Sequence, residues 1–338
     1  MTKKREPNFA FLELILQKKK APRPVLFDFI IGSEKEKLLA GADYKTGTEF
    51  ERVMTTIKAF ENGGYDFAPI VVRGMEFPRK DSHQGQALTK SLNAGLIVDG
   101  ESFKNYPWPD VNNADFGMIS RAGQFLNKKV KFVSFSVDGI LENTIGIMGY
   151  DNLCYLLYDD PELVEKVFYE VGKRIEAYFI RCLQYDEVGA VLCNDDWGFN
   201  TQTMLPPALL RKYVFPWYQR IVEKAHEMGK YAILHSCGYY YDIIEDVIDL
   251  KFDGRQSYED KIVPVEKAYD ELFPKIAVIG GIDVDFLARA SSEEVYERCC
   301  KMLEKTQNTG YALGSGNSVP DYISNENYLA MLKAAWKE

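Results

Sequence analysis

The chain has 338 residues, 46% of them hydrophobic, and a formal net charge of −9. There is enough apolar material for a sizeable core, and an acidic excess without any basic stripe argues against nucleic acid as a partner. The amino end, Met1-Thr2-Lys3-Lys4-Arg5-Glu6, has no apolar segment behind it and no later run is long enough to span a bilayer, so a cytoplasmic protein that does not enter membranes is expected. Cys154, Cys182, Cys193, Cys237, Cys299 and Cys300 lack the paired spacing of disulfide frameworks, which fits reduced thiols.

Residues 7–20 have the spacing of a short amphipathic helix with Phe11, Leu14 and Ile15 inward, ended by Pro22 and Pro24. A first buried strand is expected over Val25–Ile30. Gly47–Asn62 reads as a helix, with Phe50, Val53, Met54, Ile57 and Phe60 on one face and Gly63-Gly64 as its stop. Phe67–Val72 is a second strand. Residues 74–115 break the rhythm with Phe77-Pro78-Arg79, His83, Ser91-Leu92-Asn93 and Tyr106-Pro107-Trp108-Pro109-Asp110; an irregular insertion of this length suggests a binding loop or lid, or a surface excursion held down by Trp108.

Lys131–Val137 is a third strand. A long helix begins at Asp160-Pro161-Glu162, where proline in the first turn loses no hydrogen bond. Val188–Cys193 is a fourth strand, Pro206–Gly229 a helix and Tyr231–Leu234 a fifth strand. A helix over Tyr241–Leu250 and a sixth strand near Gly254–Tyr258 follow. Helix Pro264–Leu272, strand Ile276–Gly281, helix Ser292–Gln307, strand Tyr311–Gly314 and helix Asn325–Trp336 complete the chain. Cys299-Cys300 falls on a helix and is expected to be structural. Eight apolar runs, most followed by a helix, predict an α/β protein: a (β/α)8 TIM barrel forming one domain over 1–338, with an N-terminal helical extension and the insertion at about 74–115.

In such a barrel the reacting groups sit at the carboxyl ends of the strands. Asp28, Asp195, Asp196, His235, Cys237, Gln256, Glu259, Asp283 and Asn317 all fall at or just past predicted strand ends. His235 and Cys237, two residues apart on a strand, share a side, and Gly238 permits a sharp exit. An imidazole and a thiol so placed make half of a zinc site, although the same pair also occurs as ordinary buried residues. Asp195 or Asp196, one strand earlier, can reach the same point; one of the two is expected to ligate, the alternative being helix capping. Cys193 is a weaker candidate. Asp283 suits either substrate binding or capping of the helix Val284–Ala290. Gln256 and Glu259 suit outer partners that orient metal ligands. Gly314-Ser315-Gly316-Asn317 reads as a tight polar turn where backbone approaches a ligand.

Taken in order and spacing, Met148-Gly149-Tyr150, Asp160-Pro161-Glu162-Leu163-Val164, Asp195-Asp196-Trp197-Gly198, His235-Ser236-Cys237-Gly238, Gly280-Gly281-Ile282-Asp283, Gly314-Ser315-Gly316-Asn317 and Asn325-Glu326-Asn327 resemble the uroporphyrinogen decarboxylase superfamily, and within it the cobalamin-dependent methyltransferases. The likeness covers most of the chain and is strongest from Gly149 onward. It implies a (β/α)8 barrel, zinc held by the His-x-Cys pair and a further ligand, and methyl transfer between a small substrate and the cobalt of a separate corrinoid protein. Two departures stand out. The arginine-rich Phe-x-Pro-Arg-Gln-Ala-Gly-Arg segment with which the decarboxylases grip porphyrin carboxylates has no match, Phe77-Pro78-Arg79-Lys80 being displaced from its place. The last-strand turn also lacks the cysteine of the thiol-methylating members, so the third ligand must come from elsewhere, and Asp195 or Asp196 is the preferred source.

The expected function is zinc-dependent transfer of a methyl group from a small O-methyl or N-methyl substrate to Co(I) cobalamin on a partner corrinoid protein. Asp195, Asp196, Asp283 and Glu259 are the candidate catalytic residues; Asp28, Trp108, Trp197, Gln256 and Asn317 are the candidates for substrate binding. The alternatives are reverse transfer to a thiol or folate, a decarboxylase-like reaction on another acid, and a non-catalytic barrel that binds corrinoid protein or stores metal. A homodimer is left open.

Overall fold

A computed structural model describes residues 5–80 and 95–336; His83 and Ser91-Leu92-Asn93 of the insertion lie outside the described residues. Seven strands form one parallel sheet in sequential order: β1 Phe67–Val71, β2 Lys131–Phe135, β3 Val188–Asn194, β4 Tyr231–His235, β5 Gly254–Gln256, β6 Ala277–Ile279 and β7 Tyr311–Ala312. Strands read as continuous apolar runs rather than alternating ones because helices cover the sheet; every residue of β3 is buried. The connections carry the helices, among them Ile140–Met148, Pro161–Leu183 and Ser292–Thr306. Because all strands run the same way, their carboxyl ends gather at one edge. In the β3–β4 register Asn194 stands beside His235, which brings the two following turns together.

The first expected strand, Val25–Ile30, is not one. It is extended but makes only isolated parallel bridges, Leu26 to Leu313 and Ile31 to Val319. Phe27 N–H donates to the Leu313 carbonyl (2.8 Å) and Leu313 N–H to the Val25 carbonyl (2.8 Å). Toward β1 the segment is joined through side chains: the Phe27 ring lies 4.8 Å from that of Phe67, and the Tyr65 hydroxyl donates to Asp28 (2.5 Å). A strand needs a repeating ladder, and two short bridges do not supply one.

Local chemistry explains the other differences. The first helix spans Phe9–Leu16 and buries Phe9, Leu12, Ile15 and Leu16, while Phe11 and Leu14 are only partly covered. The helix expected over 206–229 is two, Pro207–Tyr213 and Phe215–Glu227; Pro216 has no N–H to continue the first helix across Val214. Elsewhere the caps fall where residue types favour them. Thr48 and Glu51 form a capping box for Glu49–Gly63, and Asp160 accepts from Leu163 N–H ahead of Pro161. Among the described residues no helix is long and apolar enough to cross a membrane. All six cysteines are free, and Cys299 and Cys300 lie on a helix, the former buried.

Candidate metal centre

The two turns after β3 and β4 are zipped by their backbones. Asp195 N–H donates to the His235 carbonyl (2.9 Å), Trp197 N–H to Ser236 Oγ (3.2 Å) and Tyr239 N–H to the Phe199 carbonyl (2.6 Å). So close an approach needs glycine on both sides. Gly238 has φ of +85°, and a Cβ there would run into the Gly198 carbonyl; a Cβ on Gly198 would meet the Tyr239 backbone. The Asp-Asp-Trp-Gly and His-Ser-Cys-Gly sequences are thus halves of one device.

The device brings Asp196, His235 and Cys237 together, with their ligand atoms all within 4.8 Å of one another. His235 Nε2 is 3.5 Å from Cys237 Sγ and 3.9 Å from Asp196 Oδ1. A tetrahedral zinc with bonds of about 2.05 Å to nitrogen and about 2.3 Å to sulfur separates those two atoms by about 3.5 Å. Nitrogen, sulfur and oxygen donors with room for a fourth ligand are the set a catalytic zinc takes. Asp196 also accepts the Cys237 N–H (2.9 Å), which ties the carboxylate to the thiol's own residue.

Neighbours settle which atoms face the centre. Gln256, at the end of β5, donates through Nε2 to the Ser315 carbonyl (3.3 Å), which can only accept. Its Oε1 therefore faces His235 Nδ1, with which it makes a short hydrogen bond. Nδ1 must carry the proton, and Nε2 presents a lone pair toward Cys237 and Asp196. The sulfur in turn accepts from Asn317 Nδ2 (3.0 Å) and Ser257 Oγ (3.3 Å), two donors that favour thiolate. Burial, opposed by Asp196 and Gln256, lowers the His235 pKa and so favours the neutral imidazole that a metal requires. Burial first, and then the Asp196 charge, push the Cys237 thiol well up. A cation between the two acids would reverse that last effect.

The remaining sequence candidates separate cleanly. Asp195 is fully buried and does not join the trio. Its oxygens accept from Leu141 N–H (2.9 Å), Glu142 N–H (2.9 Å), Trp197 Nε1 (2.9 Å) and Tyr218 Oη (3.0 Å), so it caps the helix Ile140–Met148. Burial raises its pKa to about 7. Trp197 is likewise buried, spent on Asp195 and packed on Phe215 and Tyr218. Cys193 points into the core. Glu259 accepts the Gly238 N–H (3.3 Å), supporting the thiol turn. Asp283 caps the helix Val284–Arg289 through Phe286 N–H (3.0 Å) and holds Asp260 N–H (2.9 Å). Asp28 is wholly buried, accepting from Tyr65 and from Ser315 N–H (2.9 Å) and Oγ (2.8 Å).

Trp108 packs in an aromatic group with Phe77, Phe103 and Tyr106, under the Arg174 guanidinium of the long helix Pro161–Leu183. Its contacts are those of an anchor for the insertion. Three contributors escaped the sequence reading: Ser257, Arg255 and Phe29. Ser257 and Arg255 flank Gln256, so the strand end itself is their signal in the sequence. Phe29, whose ring lies 4.8 Å from that of His235, gave none.

Comparisons with known proteins follow the same lines. Among curated proteins none matches the chain. Among solved structures, a methyltransferase from Methanosarcina mazei superposes with a TM-score of 0.74 over 98% of both chains at 13% identity, a likeness of fold. A B12-independent methionine synthase from Shewanella sp. W3-18-1 in complex with selenomethionine reaches a TM-score of 0.48 at 15% identity, over 90% of this chain and 84% of that one. The family model for uroporphyrinogen decarboxylase (URO-D) matches residues 105–337, which takes in both turns of the centre, and the chain belongs to that family.

Proposed function

We propose that the chain is a zinc-dependent methyltransferase that passes a methyl group from a small O-methyl or N-methyl substrate to the Co(I) corrinoid of a partner protein, within an eight-stave barrel whose eighth stave is the extended segment Val25–Ile30. The observation that carries this reading is the convergence of Asp196, His235 and Cys237. Bound there, zinc supplies a Lewis acid to the heteroatom that carries the methyl group. A carboxylate in the ligand set leaves that Lewis acid harder than a second thiolate would, which suits an ether oxygen or an amine.

The chain's own residues do the positioning. Gln256 keeps the proton on His235 Nδ1, Asn317 and Ser257 hold the sulfur, and Glu259 fixes the turn at Gly238. The substrate body has a place beside them. A cavity of about 540 Å³ opens between the Phe29–Ile31 segment and β1, walled by Val53, Val71 and Phe135 on its apolar side and by Glu36, Glu49, Arg52, Arg73 and Glu76 on its charged side. Phe29 stands between this space and the imidazole, 5.5 Å from Phe135 and 4.8 Å from His235. A volume of this size suits a small molecule. The porphyrin decarboxylase reaction is disfavoured because Arg79 is already held by Asp138 (2.6 Å) and Asn143 (2.8 Å).

The test is metal content followed by methyl transfer to reduced cob(I)alamin across a panel of methyl donors, run in both directions. Zinc at about one per chain, with activity lost on chelation and restored by zinc, is expected. Metal-free wild type, or a fully active Cys237→Ala, defeats the proposal.

A further inference from the structure

We infer that Arg255 is a positioning residue of the metal centre: seated in the corner formed by two tyrosine rings, its guanidinium ties together the two turns that aim and hydrogen-bond the Cys237 thiol. The inference rests on the reading of Asp196, His235 and Cys237 as metal ligands.

Arg255 sits in β5 and is 1% exposed, an unusual place for a permanent cation. Both of its Nη partners are backbone carbonyls. Nη1 donates to the Ser257 carbonyl (2.7 Å) and Nη2 to the Ser236 carbonyl (3.0 Å). Its Nε has no hydrogen-bond partner among the described residues. The π faces help to offset that: Cζ lies 3.9 Å from the Tyr240 ring centroid and 4.8 Å from that of Tyr258.

The two carbonyls locate the consequence. Ser236 separates His235 from Cys237, so the Nη2 bond fixes the peptide between the two ligands. Ser257 has φ of +91°, a conformation that a residue with a Cβ adopts only when its surroundings hold it. The Nη1 bond is one such hold, and the Ser257 hydroxyl then points at Cys237 Sγ (3.3 Å). One planar fork thus sets both the direction of the thiol and the donor that meets it. It also places a positive charge near the Asp196 carboxylate and the Cys237 sulfur. Lysine brings the charge but neither the fork nor the stacking face, so it is not an equivalent.

The test compares wild type with Arg255→Met and Arg255→Lys. Each is measured for thermal midpoint, for Zn(II) and Co(II) affinity by chelator competition, and for the thiolate-to-cobalt charge-transfer band. The expected result is folded variants, both binding metal about 10- to 100-fold more weakly and both with a shifted or weakened band, lysine failing to rescue. A folded variant with wild-type affinity and an unchanged band overturns the inference. Failure of both variants to fold also overturns it, since Arg255 then serves the fold alone. Wild type that takes up neither metal defeats the underlying metal reading instead, a result the wild-type arm reveals by itself.

Discussion

After β3 and β4 the chain leaves Asp196, His235 and Cys237 with their donor atoms turned toward one another. After β6 and β7, at the same edge of the sheet, it turns the carboxylate of Asp283 onto backbone amides and meets Asp28 with a backbone amide, a serine and a tyrosine. Both regions are polar, glycine-rich and largely buried. The difference lies in what is left over once backbone demands are met. Around Asp28 and Asp283 the carboxylates serve hydrogen bonds that the turns themselves need. Around Cys237 the outer groups Gln256, Ser257 and Asn317 satisfy the ligands from behind and leave lone pairs facing inward. Two regions of like composition therefore hold the chain together in one case and expose a coordinating pocket in the other.

The comparison breaks most completely if His235→Ala or Cys237→Ala keeps metal. Each is expected to abolish stoichiometric zinc binding and methyl transfer while leaving the thermal midpoint of the metal-free protein near that of metal-free wild type. Metal analysis and calorimetry check this.

The neighbouring carboxylates Asp195 and Asp196 give the next largest contrast. Asp196→Asn is expected to weaken zinc by more than the about 10- to 100-fold typical of an outer partner, with little change in stability. Asp195→Asn should do the reverse. Both of its oxygens accept, so an amide turns an NH2 group toward a donor in either orientation, at about 1–3 kcal/mol. Chemical denaturation and chelator competition on the two variants give the answer, and equal effects would erase the distinction drawn between them.

Gln256→Leu sharpens the point from behind the ligands. It frees His235 Nδ1 from its acceptor and should cost about 10-fold or more in zinc affinity with Asp196 and Cys237 intact. An unchanged affinity would show that the imidazole needs no support.

The last contrast concerns stability alone and belongs to Asp28, in the other region. Burial raises its pKa from 3.8 to about 6, against the pull of hydrogen bonds from Tyr65 and Ser315. A folded pKa above the unfolded one means a contribution present below the unfolded value and lost as pH rises through the folded one. Wild type should therefore lose up to about 3 kcal/mol relative to Asp28→Asn between about pH 4 and pH 6, read from denaturation midpoints. A flat difference over that window would contradict the burial described here.

The sequence shows much of this, for identifiable reasons. Seven strands lie where continuous apolar runs mark them, because a covered parallel sheet has no polar face to conceal. The run at Val25–Ile30 looks the same, yet forms only bridges; apolar content marks burial, while pairing depends on partners elsewhere in the chain. His235 and Cys237 are legible from their two-residue spacing on a strand. The choice between Asp195 and Asp196 is not, since it turns on the helix Ile140–Met148 arriving to be capped, a long-range event. Trp108 and Trp197 are ambiguous in the sequence for a related reason. A large aromatic near a strand end suits a substrate and an internal packing anchor equally, and only the neighbours decide.

The most direct measurement is X-ray absorption at the zinc edge of the purified wild-type protein. A centre built from Asp196, His235 and Cys237 shows one sulfur at about 2.3 Å with nitrogen and oxygen neighbours at about 2.0–2.2 Å. Absence of zinc, or a zinc with no sulfur in its first shell, would contradict it.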